Sequence, residues 1–195
     1  MECLITILII ILIVILIIPI SKFDDSNDCM NNVYKIAKQL GEHYLELMKE
    51  QSYFSLKYPA VMFDIDDTLI SYSGQPIKPM IQLLNKCIKD GLIVYIITAR
   101  DSIHYNITVE ELNKHKIRYE FLFLRHNGVD NINTFKSEIK RKLAEENNIT
   151  TIMSIGDNII DIDGNYSGYF LKLPNYKDPN LYHLNSKGLR EIVVN

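Results

Sequence analysis

From Pro59 onward the chain alternates short apolar runs with amphipathic segments, the pattern of strands and helices in turn. Apolar runs predict strands at residues 60–65, 92–98, 119–124, 150–157 and 168–173. Helical segments are predicted over residues 80–88, 107–115 and 135–147, of which the last is a charged helix. Continuous apolar strands separated by helices are typical of a parallel sheet that is covered on both faces. We therefore predict an α/β fold of three layers with a Rossmann-like parallel sheet.

The N-terminal part of the chain has a different pattern. Residues Leu4 to Ile20 are apolar apart from Thr6, and as a helix they would span about 25 Å, close to the thickness of a bilayer core. We predict an uncleaved transmembrane anchor over residues 1–20. A cleaved signal peptide is the alternative, which the lack of a preceding Lys or Arg disfavours. Residues 21–29 are polar and predict a stalk, and a helix over 31–50 then opens the folded domain, residues 30–195.

Composition and charge exclude several classes of protein. The chain has 195 residues, of which 47% are hydrophobic and 23% charged, with three cysteines and a net charge of −3. These values exclude a disordered chain, a disulfide scaffold and a strongly basic nucleic-acid binder, so we expect no nucleic-acid partner. A single domain of this size holds a core without metal or disulfide support. Any metal site would therefore serve function.

Carboxylates gather where two predicted strands end. Asp64 and Asp66 follow the first strand, and Asp157 and Asp161 follow the fourth, one helical turn apart. Carboxylates this close raise one another's pKa unless one of them keeps a proton or a cation binds. Carboxylate oxygens are the ligands that Mg²⁺ takes from proteins, and there is no His or Cys cluster to indicate zinc. The alternative, a helix cap with spare charges, explains one Asp but not the group.

Two further polar residues are candidates for the same site, although each also has an ordinary structural explanation. Thr98 ends the second strand, where a Thr commonly does no more than cap the next helix. Lys136 lies in the first turn of a helix, where its charge opposes the helix dipole, so helix stability does not explain it. A solvated Lys on a charged helix is the alternative.

In order along the chain, these residues resemble the four motifs of the haloacid dehalogenase (HAD) superfamily of phosphatases. The motifs are the DxDxT of residues 64–68, Thr98 after a strand, Lys136, and the GDxxxD of residues 156–161. Within the superfamily the chain looks like the plant-type and class B acid phosphatase group, subfamily IIIB, through FDIDDTLIS, ITAR, FKSEIKRKL and FLKLPN. Ala99 stands where many members have Gly. The resemblance covers about residues 59–175 and implies an HAD-like fold.

The resemblance also implies roles in catalysis. Asp64 would attack phosphorus to form an aspartyl-phosphate, and Asp66 would protonate the leaving oxygen and later activate water. The phosphate-binding residues would be Thr98, Ala99 and Lys136. The Mg²⁺ ligands would be Asp64, the backbone carbonyl of Asp66, and Asp157, with Thr68 and Asp161 in support.

The loops between these elements are too short for a large cap domain, which predicts an open site for small phosphomonoesters. Tyr72, Arg100, His104 and Tyr105 are candidates for its rim. Two other functions stay open: a catalytically weak storage or scaffold protein that keeps the fold, and a phospho-accepting signalling module. The sequence does not fix the substrate, the pH optimum, the oligomeric state or the side of the membrane.

Overall fold

The computed structural model describes residues 25–50, 56–184 and 190–194 as a mixed α/β fold. Residues 31–195 form one compact unit. The helices are α1 Asp25–Glu50, α2 Lys78–Lys89, α3 Tyr105–Lys114, α4 Phe135–Asn147 and α5 Ile159–Ile162. The strands are β1 Tyr58–Phe63, β2 Ile93–Asp101, β3 Phe121–Arg125, β4 Ile149–Gly156, β5 Tyr169–Lys172, β6 Leu181–Leu184 and β7 Arg190–Val194. A short 3₁₀ turn over Ser102–His104 precedes α3.

All seven strands belong to one sheet in the order β3-β2-β1-β4-β5-β6-β7. Strands β1 to β5 are parallel, which confirms the predicted parallel sheet for this part. Strands β6 and β7 are antiparallel additions at one edge that the sequence analysis did not predict. In the middle of the sheet β1 lies between β2 and β4, so the chain turns in opposite directions on its two sides. A crevice at the carboxyl ends of the strands is expected at such a point.

Side chains of β1 alternate between two hydrophobic clusters, one on each face of the sheet. Val61 and Phe63 enter the larger cluster, which contains residues of α1 and α2. Ala60 and Met62 enter the smaller one, with Phe135 and other residues of α4. Helices therefore cover both faces, and the central strands are apolar on both sides because both sides are buried.

Helix α1 begins at Asp25, earlier than the predicted start at residue 31 and within the predicted stalk. Acidic residues at a helix N-terminus are favoured by the helix dipole, so this polar stretch is compatible with helix. Gly41 allows α1 to approach α2, since a Cβ there would lie 2.6 Å from Leu83 Cδ2. Farther along α1, the ring of Tyr44 stacks on that of Tyr169 at 4.1 Å between centroids.

No helix within the described ranges is long and apolar enough to cross a membrane. The predicted anchor, residues 1–20, lies outside those ranges. Residues 64–77, which connect β1 to α2, form turns and two isolated bridges, with no inserted domain in this part of the described chain.

Candidate active site

Three neighbouring strands bring the predicted site residues to the same edge of the sheet. Asp64 follows β1, Thr98 lies near the end of β2, and Asp157 follows β4. The register pairs Phe63 of β1 with Ile96 of β2 on one side and with Ile155 of β4 on the other. Each of the three polar residues lies one or two positions beyond this row, because parallel strands end at a common edge.

The carboxylates of Asp64, Asp157 and Asp161 form a buried cluster, with one oxygen from each within 4.8 Å of the others. Asp161 lies in the single turn of α5, and its side chain packs against the end of β4. Gly156 makes room for it, because a Cβ at that position would lie 2.3 Å from Asp161 Cβ. The backbone N–H of Asn158 donates to Asp161 Oδ2 at 2.9 Å and fixes its orientation.

Lys136 reaches this cluster from the first turn of α4. Its Nζ lies 2.5 Å from Asp64 Oδ1 and 2.7 Å from Asp161 Oδ1, and the side chain is only 3% exposed. Burial opposes the charge on the Lys136 ammonium, but Asp64 and Asp161 outweigh it and raise the pKa above its ordinary value. The alternative of a solvated lysine is therefore wrong for Lys136.

The hydrogen bonds of the cluster leave two carboxylate oxygens free. Both oxygens of Asp161 are engaged, by Lys136 and by the Asn158 N–H. Asp157 Oδ2 accepts from Asn158 Nδ2 at 2.9 Å and from Asn175 Nδ2 at 3.1 Å. Within the described ranges, Asp64 Oδ2 and Asp157 Oδ1 accept no hydrogen bond. Clustered carboxylates with oxygens that accept no hydrogen bond in the described part of the chain fit a hard divalent cation.

Electrostatics also favour a cation at this position. Burial raises the pKa of the Asp64 carboxyl, although the Lys136 ammonium opposes the shift. Burial, followed by the charge of Asp161, raises the pKa of Asp157 to about 6. Lys136 contacts two of the three buried carboxylates, and a divalent ion would supply further positive charge at the cluster.

Asp66, Asp67 and Thr68 lie outside the carboxylate cluster, and each has different neighbours. The Asp66 carboxylate accepts from Arg100, with Nη2 at 2.6 Å and Nε at 3.0 and 3.2 Å, and Arg100 also contacts Glu111 at 2.6 Å. The Asp66 side chain is 57% exposed and is not one of the three clustered carboxylates. Asp67, with φ of 52°, accepts the N–H of Tyr72 and shapes the turn. Thr68 is buried, and its hydroxyl has no hydrogen-bond partner in the described part of the chain.

At the end of β2, Thr98 is fully buried, and its hydroxyl accepts the N–H of Arg100 at 3.2 Å. Ala99 is partly exposed, and its carbonyl accepts from Arg125 Nε at 3.4 Å.

Sequence reasoning missed two residues that support the cluster. Asn175 donates to both the carbonyl and the carboxylate of Asp157, at 2.7 and 3.1 Å. Lys140 is fully buried, and its ammonium donates to the backbone carbonyl of Asp161. Burial lowers the pKa of Lys140 to about 8, although Asp161 opposes the shift. Both contacts join residues 18 or more positions apart in the sequence, so no local sequence pattern predicts them.

Two kinds of comparison with known proteins bear on this site. The family model described as "HAD superfamily, subfamily IIIB (Acid phosphatase)" matches residues 72–179. The match includes Thr98, Lys136, Asp157 and Asp161 and begins after Asp64 and Asp66. No curated protein sequence matches the chain.

Solved structures are similar in fold. The class C acid phosphatase from Bacillus anthracis is 18% identical with a TM-score of 0.56, covering 69% of this chain and 65% of its own. The same enzyme with tungstate bound is 17% identical with a TM-score of 0.57, covering 74% and 68%. A chain of the Pnkp1/Rnl/Hen1 complex is 20% identical with a TM-score of 0.51, covering 59% and 45%. The chain thus spans about two thirds of the phosphatase structures and less than half of the third chain.

Because the sequence identities to these solved structures are low, the similarity supports the fold alone. The family match is stronger, since it extends over more than half of the sequence. The chain belongs to subfamily IIIB of the HAD superfamily, the acid phosphatase family, which confirms the resemblance seen in its motifs.

Proposed function

We propose that this chain is a Mg²⁺-dependent phosphomonoester hydrolase that acts on small phosphomonoesters through an aspartyl-phosphate. The observation that carries the proposal is the buried contact of Lys136 with Asp64 and Asp161, within the cluster of the Asp64, Asp157 and Asp161 carboxylates. A nucleophile, a fixed positive charge and a place for a cation are then within a few ångströms of one another. Phosphoryl transfer needs these three groups, because its catalysis consists mostly of positioning the reactants and stabilising charge.

Asp64 is the proposed nucleophile. Its carboxylate would form a bond to phosphorus while the bond to the leaving oxygen breaks, and water would then cleave the aspartyl-phosphate to release inorganic phosphate. Lys136 stabilises the ionised form of Asp64 and offsets the charge of an incoming phosphate. A bound Mg²⁺, held by Asp64, Asp157 and the backbone carbonyl of Asp66, would polarise the phosphoryl oxygens and reduce their repulsion of the carboxylate.

Asp66 is the proposed general acid and base. A group in this role must come within hydrogen-bond reach of the leaving oxygen and later of water. In the structure its carboxylate is held by Arg100, which is itself anchored on Glu111 of α3. The contact restricts Asp66 to one orientation at the exposed edge of the site. Arg100 is therefore the residue that positions the Asp66 side chain in this structure.

Phosphate binding is assigned to Thr98, the N–H of Ala99 and Lys136. The parallel register puts the end of β2 beside the residues that follow β1, so that donors from both strands face the same edge. Exposed side chains around that edge include Tyr72, Ile103 and Tyr176, and no domain is inserted between the described residues 64 and 77 to cover them. A site of this kind suits small or varied phosphomonoesters, since enclosing lids commonly provide narrow specificity.

Release of phosphate from p-nitrophenyl phosphate by the full chain, with and without Mg²⁺, tests this function. Asp64→Asn should abolish turnover, and Glu146→Gln, an exposed change on α4, should leave it intact. Multiple turnovers would support the enzyme. Release stopping at one leaving group per chain, with a stable phosphorylated protein, would indicate a phospho-accepting module. No reaction in any metal would indicate a scaffold.

We also propose that residues 1–20 anchor the chain in a membrane as a single span. The apolar run from Leu4 to Ile20 supports this location, since no charged residue interrupts it. Protease protection of intact membranes distinguishes the two orientations of the folded domain.

A further inference from the structure

Lys140 is buried beneath the turn that carries two of the clustered carboxylates. Its side chain is fully buried, and the ammonium donates to the carbonyls of Asp161 and Asp163, both at 3.0 Å, and to the hydroxyl of Ser167. All three partners are uncharged oxygens. The ammonium therefore binds this segment of backbone in the way a small cation would.

The segment that Lys140 binds is held largely by contacts from outside its own helical turn. Helix α5 is a single turn, Ile159–Ile162, and a turn of that length is not stable alone. Its carbonyls near the C-terminal end have no partner within the helix and favour a nearby positive charge. Ser167 in turn donates to the carbonyl of Asp163 at 2.7 Å and accepts from Ser154 of β4 through its own carbonyl. Lys140 thus joins α4 to the turn and, through Ser167, to the sheet.

Lys136 and Lys140 lie one turn apart on the same face of α4, and both act on Asp161. Lys136 contacts its carboxylate, whereas Lys140 contacts its carbonyl. The position of Asp161 and, four residues before it, of Asp157 therefore depends on both lysines. Burial of the ammonium has a desolvation cost, which the three oxygen acceptors around Lys140 offset.

We propose that Lys140 is a positioning residue that holds the Asp157 to Asp161 turn in the geometry that binds the divalent cation. It touches neither the cation nor the substrate. The inference rests on the proposed Mg²⁺-dependent function and adds a residue outside the four motifs to it.

The test compares Lys140→Met with wild type in the full chain, using calorimetric titration with MgCl₂ alone. Methionine keeps most of the volume and removes the charge and the donors. We expect Mg²⁺ affinity to fall about 10-fold to 100-fold, the range found for groups that orient metal ligands. In phosphatase assays the Mg²⁺ concentration for half-maximal rate should rise by the same factor, while kcat at saturating Mg²⁺ changes less. Lys142→Met, an exposed change on the same helix, is the matched control and should behave as wild type.

Equal Mg²⁺ affinity in Lys140→Met and wild type would overturn the inference. Ser167→Ala is the second variant, used also if Lys140→Met fails to fold, because it removes one acceptor and leaves the lysine in place. It should weaken Mg²⁺ binding several-fold, and unchanged binding would again count against Lys140. Failure of the wild type itself to bind Mg²⁺ or to turn over substrate would instead refute the proposed function.

Discussion

Asp157 and Asp161 lie one helical turn apart, yet their carboxylates differ in what they can still bind. Asp161 has both oxygens engaged, by Lys136 and by the N–H of Asn158. Asp157 has one oxygen held by two side-chain amides and the other without a partner in the described part of the chain. Two residues of the same type in the same motif are thereby suited to different tasks: direct ligation for Asp157 and support of Lys136 for Asp161.

The Asp157→Asn and Asp161→Asn variants test this difference. We expect Asp157→Asn to weaken Mg²⁺ binding by more than about 100-fold, because it removes a charged ligand, and Asp161→Asn by about 10-fold, because it acts on orientation. Calorimetric titration of both variants at one pH gives the ratio. Equal losses, or a larger loss in Asp161→Asn, would show that the ligand and the supporting residue are assigned the wrong way round.

Asp66→Asn separates proton donation from phosphate binding. The variant cannot donate a proton to the leaving oxygen, so hydrolysis of alkyl phosphates should fall by about 10²-fold to 10⁴-fold. The first step with p-nitrophenyl phosphate should fall far less, since nitrophenolate leaves without a proton. Burst kinetics with the two substrate types measure both effects. Arg100→Lys keeps the charge and loses the bidentate contact. It should also slow hydrolysis of alkyl phosphates more than that of p-nitrophenyl phosphate, with a smaller fold-change than Asp66→Asn. A uniform loss across substrates would contradict the role of Asp66.

Local spacing is what made the main site residues predictable. Asp64 and Asp157 follow apolar strands directly, and strand ends must meet at one edge of a parallel sheet. Arg100 was predicted only as a rim candidate, and in the structure it contacts both Asp66 and Glu111 of α3, which is 11 residues away along the chain. Lys140 stands among exposed charged neighbours on α4, and only the packing of α4 against α5 distinguishes it from them. Long-range contacts of this kind leave no periodic signal in the sequence.

Among the elements, the buried parallel strands were the most predictable. Strands β1, β2 and β4 are mostly buried and appear in the sequence as largely apolar runs. Strands β6 and β7 were missed because they are short antiparallel additions at the sheet edge, and LYHL and REIVV carry polar residues among the apolar ones. Helix α4 matched its predicted bounds, residues 135–147, since its apolar residues recur at regular spacing.

Gly168, just before β5, tests how closely the elements are packed. Its φ is +65°, and a Cβ would lie 2.4 Å from the backbone of Ile152 in β4. Gly168→Ala should lower the free energy of unfolding by about 3 kcal/mol or more, because backbone atoms cannot move aside as a side chain would. Gly91→Ala is the matched control, with φ of +81° and open space around the Cβ, and should cost about 1 kcal/mol. Urea unfolding measures both, and similar losses would mean that β4 and β5 have room between them.

For the whole molecule, family and fold support each other from different parts of the chain. The family match begins at residue 72, after the proposed nucleophile, so it says nothing about Asp64 itself. The sheet connects Asp64 to the matched part of the chain, because β1 lies between β2 and β4 and brings Asp64 next to residues that the family model includes. The proposed role of Asp64 therefore rests on the motif resemblance and on geometry, whereas Lys136 and Asp157 also lie within the residues that the family model matches.

The proposed anchor is tested by where the chain is found in fractionated cells. The full chain should sediment with membranes, resist extraction at alkaline pH and dissolve in detergent, because residues 4–20 form one apolar stretch. A chain that starts at Ser21 should remain in the supernatant and still bind Mg²⁺. Replacing Ile10 and Ile13 with Lys is the control within the full chain, since each charge at the bilayer centre costs about 2.5–3.5 kcal/mol on insertion scales. Recovery of a chain lacking its first residues would identify a cleaved signal peptide instead.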